Sequence, residues 1–88
     1  MDYFTDREIQ EADLLSGNLS KGTYDGCTFR GLNLVGVYLD GRHFVDSHFV
    51  NCNLSNANIG GAQWNGVRFE DCKMVGLRFE KCGAFVTG

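Results

Sequence analysis

Proline is absent from these 88 residues, tryptophan occurs once, and no apolar run is long enough to span a bilayer. No signal peptide is evident either, so one small domain in the cytoplasm is expected. The four cysteines lack the paired spacing of a zinc site: Cys27, Cys52, Cys72 and Cys82 lie 25, 20 and 10 positions apart. There is no nucleophile elbow, Walker loop or GxGxxG segment, and the scattered serines and threonines form no Ser/His/Asp arrangement. A one-sided charge is also missing. The net charge is −3, and residues 1–13 carry five acids (Asp2, Asp6, Glu8, Glu11, Asp13) against Arg7, a balance of −4. Residues 14–88 therefore sum to +1, with both signs interspersed. This argues against a nucleic-acid-binding stripe and equally against a strongly acidic surface. An enzyme is not expected.

What the chain does have is a large apolar residue at every fifth position: Leu19, Tyr24, Phe29, Leu34, Leu39, Phe44, Phe49, Leu54, Ile59, Trp64, Phe69, Met74 and Phe79. The phase extends back through Leu14, Ile9 and Phe4. Neither regular element explains it. On an α-helix five residues advance a side chain by about 500°, which scatters successive members around the axis. On a flat strand an odd step sends them to alternate faces. Every fifth residue stays inside only if short extended segments end in bends and the chain coils, with about 20 residues closing a four-sided turn.

Two flanking positions agree. The residue two before each centre is small or apolar (Cys27, Leu32, Val37, Ser47, Cys52, Ala57, Ala62, Val67, Cys72, Leu77, Cys82), with Arg42 the exception, and should also face inward. The residue two after is Gly26, Gly31, Gly36, Gly41, Asp46, Asn51, Asn56, Gly61, Gly66, Asp71 or Gly76, with Lys81 the exception; these types tolerate the positive φ of a tight corner. Segments such as Ala57-Asn58-Ile59-Gly60-Gly61, Cys52-Asn53-Leu54-Ser55-Asn56 and Cys27-Thr28-Phe29-Arg30-Gly31 make the chain resemble the pentapeptide-repeat family over about residues 17 to 83. That resemblance implies an all-β fold, a right-handed quadrilateral β-helix, here of roughly three and a half to four coils. Residues 1–16 are expected to form a cap or an irregular first coil, and residues 17–88 the β-helix. Thr5 and Glu8 have capping-box spacing for a short helix, while the phase of Ile9 and Leu14 equally allows a coil.

Folded into four columns, the pattern predicts which residues stack. One wall holds Ile9, Phe29, Phe49 and Phe69, and the next Leu14, Leu34, Leu54 and Met74. The third holds Leu19, Leu39, Ile59 and Phe79; the fourth holds Tyr24, Phe44 and Trp64, with Phe4 below and Ala84 above. The cysteines fall on the small inward position and read as buried reduced thiols, which suits a reducing compartment. Cys52 and Cys72 are vertical neighbours close enough for a disulfide the fold does not need.

Candidate chemistry is sparse. His43 and His48 should face outward without a third metal ligand, and the adjacent carboxylates Glu70 and Asp71 should diverge at a corner. Arg42 stands in a small slot, so its guanidinium must reach solvent, bulge the coil or pair with Asp40 or Asp46. Val35, Tyr38, Val45, Val50 and Val75 are apolar at outward positions, and Val35 and Val75 share a wall. No catalytic, cofactor-binding or metal-ligating residue is assigned, and no cofactor.

The carboxyl end shows no cover. Phase breaks at Gly83-Ala84-Phe85-Val86, which predicts an end-to-end homodimer or a piece of a longer protein. The leading functional expectation is a non-catalytic structural or protein-interaction module, with no membrane and no direct nucleic-acid contact. The resemblance implies an alternative, a DNA mimic that binds and protects DNA gyrase. Members with that role are longer and markedly acidic.

Overall fold

The structure is a computed structural model that describes residues 2–77 and the backbone of residues 84–87. Among the described residues eight strands lie in chain order: β1 (Asp2–Thr5), β2 (Glu8–Ile9), β3 (Gly22–Asp25), β4 (Thr28–Arg30), β5 (Arg42–Val45), β6 (His48–Val50), β7 (Gln63–Glu70) and β8 (Ala84–Thr87). All pairings between them are parallel, and up to β7 each is offset by one coil, as in Tyr24↔Phe44 and Phe29↔Phe49. One wall stacks β1, β3, β5 and β7, and the next stacks β2, β4, β6 and the same bent β7. The other two walls are held by single bridges, Asn33↔Asn53, Tyr38↔Asn58 and Asn53↔Lys73. The chain is a β-helix.

Corners fall where the sequence placed them. Asp46, Asn51, Asn56, Asp71 and the glycines at 26, 31, 36, 41, 61, 66 and 76 all have positive φ. On the aliphatic walls, asparagine tightens the bend. Asn53 Oδ1 accepts from the Ser55 N–H at 3.1 Å and Asn58 Oδ1 from the Gly60 N–H at 3.1 Å, each a side chain closing a turn on its own backbone.

Columns of side chains fill the interior. Phe4, Tyr24, Phe44 and Trp64 stack at centroid spacings of 4.7, 5.5 and 4.5 Å. Beside them Phe29, Phe49 and Phe69 stack at 4.3 and 5.4 Å. The two columns meet edge to face, with Phe44 and Phe49 crossing at 69°. Parallel stacking along the axis and edge contact across it are both favourable arrangements of ring quadrupoles. Leu34, Leu39, Leu54 and Ile59 complete the core from the other two walls.

The first coil departs from regularity. Asp2–Thr5 is a strand paired with β3, and a 3-10 turn at Glu11–Asp13 stands where the chain rounds the base. Among the described residues no α-helix begins at Thr5. The Asp13 carboxylate accepts the Gln10 N–H at 2.9 Å, while the Asp13 N–H donates to the Gln10 carbonyl at 2.8 Å. Gly22 has φ 146° and lies so close to β1 that a Cβ there would stand 2.2 Å from the Asp2 carbonyl oxygen.

At the other end one expectation is corrected. Ala84 pairs with Gln63 rather than with Trp64, and Phe85 takes the register position beside Trp64. The ladder continues across the break in phase because one extra residue is absorbed by a shift between Trp64 and Val67, as in a β-bulge. The expected positions of Phe79, Lys81, Cys82 and Gly83 lie outside the described residues.

Phe49 is fully buried between Phe29 and Phe69. Phe49→Ala should lower the unfolding free energy by about 3–5 kcal/mol. Val75→Ala on the exposed wall should change it by less than about 0.5 kcal/mol. Urea denaturation followed by far-UV circular dichroism checks both, and equal effects would refute the inward assignment.

Candidate functional site

The buried polar groups come first, because a site is normally built from them. They lie at the corners. Where the chain leaves an aliphatic wall, the N–H of the small inward residue bonds the carbonyl three residues back: Val37 to Leu34 at 3.4 Å, Ala57 to Leu54 at 3.0 Å and Ala62 to Ile59 at 3.1 Å. At two corners where it leaves an aromatic wall, the bond goes to a side chain on the coil above. The Cys27 N–H donates to Ser47 Oγ at 3.3 Å, and the Leu32 N–H to Cys52 Sγ at 3.5 Å.

Side chains in this slot also donate, and each has two carbonyls in reach, that of the apolar residue 23 positions earlier and that of the residue two before its own. Cys27 reaches Phe4 and Asp25 at 3.5 and 3.8 Å, Ser47 reaches Tyr24 and Val45 at 3.1 and 3.0 Å, Cys52 reaches Phe29 and Val50 at 3.3 and 3.4 Å, and Cys72 reaches Phe49 and Glu70 at 3.3 and 3.4 Å. The thiols thus link coils as neutral donors. Burial pushes the Cys52 thiol up, which keeps it protonated for this role and poor as a nucleophile.

Arg42 follows the same geometry with a longer arm. Its backbone N–H makes the aliphatic-type corner bond to Leu39 at 3.2 Å. Its guanidinium is 8% exposed and reaches Leu19, again 23 positions earlier, with Nε and Nη2 donating to that carbonyl at 3.2 and 2.6 Å. Nη1 donates to the Asp40 carbonyl at 2.7 Å, while the Asp40 carboxylate stands 3.9 Å away and is shared with Lys21. Of the three routes open to Arg42, pairing with Asp40 is the one taken, through its backbone more than its carboxylate; the coil does not bulge. Below Arg42 in the register stands Gly22.

The other candidates are brought into ladders, not into one site. His43 Nε2 stands 3.0 Å from Asn65 Nδ2, and His48 Nε2 stands 3.4 Å from Glu70 Oε1, so each histidine meets the coil above it. Asp71 is a corner with φ 54°. Among the described residues no group of three or more His, Cys, Asp or Glu could hold a metal ion. The outward set is corrected at Val50, which is buried. It lies in register between Arg30 and Glu70, whose long stems can cover it.

Sequence reasoning missed a cavity of about 410 Å3 at the base of the coil. Phe4, Ile9, Leu19 and Tyr24 form its apolar floor, and Arg7, Glu8, Asp13 and Ser20 its rim. The legible signal was the acidic balance of residues 1–13 together with the phase of Phe4 and Ile9. Among the described residues the other exposed large apolar side chains are Leu15, Val35 and Val75 on the outer wall, at 67%, 47% and 71%, Tyr38 around the corner at 64%, and Tyr3 on β1 at 63%.

A family model described as a pentapeptide repeat region matches residues 3–79. The chain belongs to the pentapeptide-repeat family. No curated protein matches it. The match begins at Tyr3, inside β1, and so takes in the first coil as well as the regular ones. As a pentapeptide-repeat solenoid the chain is a structural and interaction scaffold, and among its described residues no helix is long and apolar enough to cross a membrane.

Tyr24 supplies a pH test of the core. Its hydroxyl donates to the Ser20 carbonyl at 2.5 Å, and burial pushes its pKa up to about 12, with Arg42 pulling the other way. A folded value above the unfolded value of 10.0 means that Tyr24 contributes fully below about pH 10 and progressively less as the pH rises through about 12. The expected alkaline loss is about 2 kcal/mol. Tyr24→Phe should flatten the fall in melting temperature between pH 9 and 12; an unchanged slope would assign it to other groups.

Proposed function

We propose that this pentapeptide-repeat chain is a non-catalytic module that presents a rigid wall to a partner protein. The observation that carries this is the division of its residues between inside and outside. Ser47, Arg42 and the described cysteines are engaged with the coil's own backbone, while Leu15, Val35 and Val75 stand exposed on one wall, with Ser55 between the two valines, and Tyr38 is exposed around the corner. Exposed apolar residues aligned along a stiff face favour protein contact. A second copy pairing at the outer edge of β8 belongs to the same reading, since an unpaired strand edge is a template for association.

The gyrase-binding role is not adopted. Mimicry of duplex DNA needs a continuous acidic surface, and the acids beyond residue 13 are matched by bases. The free thiols of Cys27, Cys52 and Cys72 suit a reducing compartment, and the cytoplasm is the proposed location.

The test combines Val35→Asp with Val75→Asp. The double variant should keep the circular dichroism of the parent and lose the proteins that the immobilised parent captures from its native extract. Capture of the same proteins by both forms would remove the wall from the proposal. Sedimentation across a concentration series reads the β8 edge, where a strict monomer at high concentration contradicts self-pairing.

A further inference from the structure

The base of the coil combines an open backbone edge, an apolar cavity and an excess of negative charge. Strands β1 and β2 are the two ends of the sheet order, each paired on one side only, so alternate N–H and C=O groups of Asp2–Thr5 face away from the ladder. Between them lies the cavity of about 410 Å3 on Phe4, Ile9, Leu19 and Tyr24. That lies toward the small end of ligand-sized pockets, about 300–1,000 Å3. Phe4 stacks on Tyr24 above, and the Arg7 guanidinium stands 5.3 Å from its ring centroid, so an exposed cation rather than packed side chains borders the column here.

Charge selects the occupant. Residues 1–13 sum to −4 while the rest of the chain sums to +1. Glu8 is paired with Arg30 at 2.7 Å, which offsets one of these charges, whereas Glu11 accepts the Asn33 N–H and Asp13 the Gln10 N–H, neutral donors that leave an excess of negative charge at this end. A second copy docking by the same face would bring −4 against −4, which disfavours it. An acidic ligand meets the same repulsion.

We propose that the amino-terminal end face docks an extended basic segment of a partner protein, which adds as a strand beneath β1 and places one large apolar side chain in the cavity. Main-chain bonds to the open edge supply affinity, and the cavity and the acidic excess of residues 1–13 supply selectivity. The inference rests on the reading of the chain as an interaction module and names a partner chemistry for a different face from the Val35 and Val75 wall. The rival account is that the acids only protect an open edge from unwanted pairing.

Selection from a random octapeptide library displayed on phage, against the 88-residue chain anchored at its carboxyl end, separates them. The proposal expects enrichment of peptides with lysine or arginine flanking one large apolar residue. Their amide shift changes should be confined to Asp2–Ile9, Ser20 and Tyr24. Asp2→Lys should weaken binding about tenfold with unchanged circular dichroism. It is overturned if no peptide is enriched, if neutral or acidic peptides win, or if Asp2→Lys binds equally well. Shifts on the Val35 wall, or shifts at the base that grow with protein concentration alone, overturn it too. Failure here with the wall's capture intact removes this inference only; failure of both removes the interaction module.

Discussion

A chain that turns every five residues must find an acceptor for the inward N–H at each corner, because the parallel ladder runs along the walls and a buried unpaired donor is costly. Two solutions are seen around the coil. At aliphatic corners the turn closes on itself, through Leu34, Leu54 and Ile59 carbonyls. At two aromatic corners, those of Cys27 and Leu32, a side chain from the coil above supplies the acceptor and can return a donor to the column, as Ser47 and Cys52 do. The described cysteines and Ser47 sit beside the aromatic columns, together with Leu32 and Val67, whereas Val37, Ala57 and Ala62 sit beside the aliphatic ones. Arg42 extends the second solution to a corner of the first kind.

Much of this order was legible in the sequence, and some was not. The columns and corners follow from period and residue type alone, since an apolar centre must be inside and a left-handed corner needs Gly, Asn or Asp. The corner chemistry was hidden because it depends on residues 20 to 23 positions apart, whose hydrogen bonds no local pattern reveals. Val50 was read as outward from its place in the repeat, yet its neighbours on adjacent coils decide its burial. Ala84 was read as the end of the phase, yet a one-residue shift in pairing restores the ladder. The base cavity needed the path of the first coil, where the 3-10 turn at Glu11–Asp13 replaces a regular corner.

Function follows from what this economy leaves over. Polar side chains that could have formed a site are engaged in holding coils together, and the histidines are held in separate ladders. Among the described residues two surfaces besides the β8 edge are open to a partner. One is the side wall, where Leu15, Val35 and Val75 are exposed with Ser55 between the valines; the other is the amino-terminal end, with an excess of acids and an open strand edge. A narrow solenoid has contacts only between neighbouring coils, so its stability is shared out step by step and each inter-coil link matters.

The most direct measurement of that account is the stability of Ser47 variants by chemical denaturation. If the inward slot must supply both donor and acceptor, Ser47→Ala costs about 1–3 kcal/mol and Ser47→Cys recovers most of it, as cysteine serves at Cys52. If Ala proves as stable as Ser, the slot asks only for a small side chain, and the corner account is wrong.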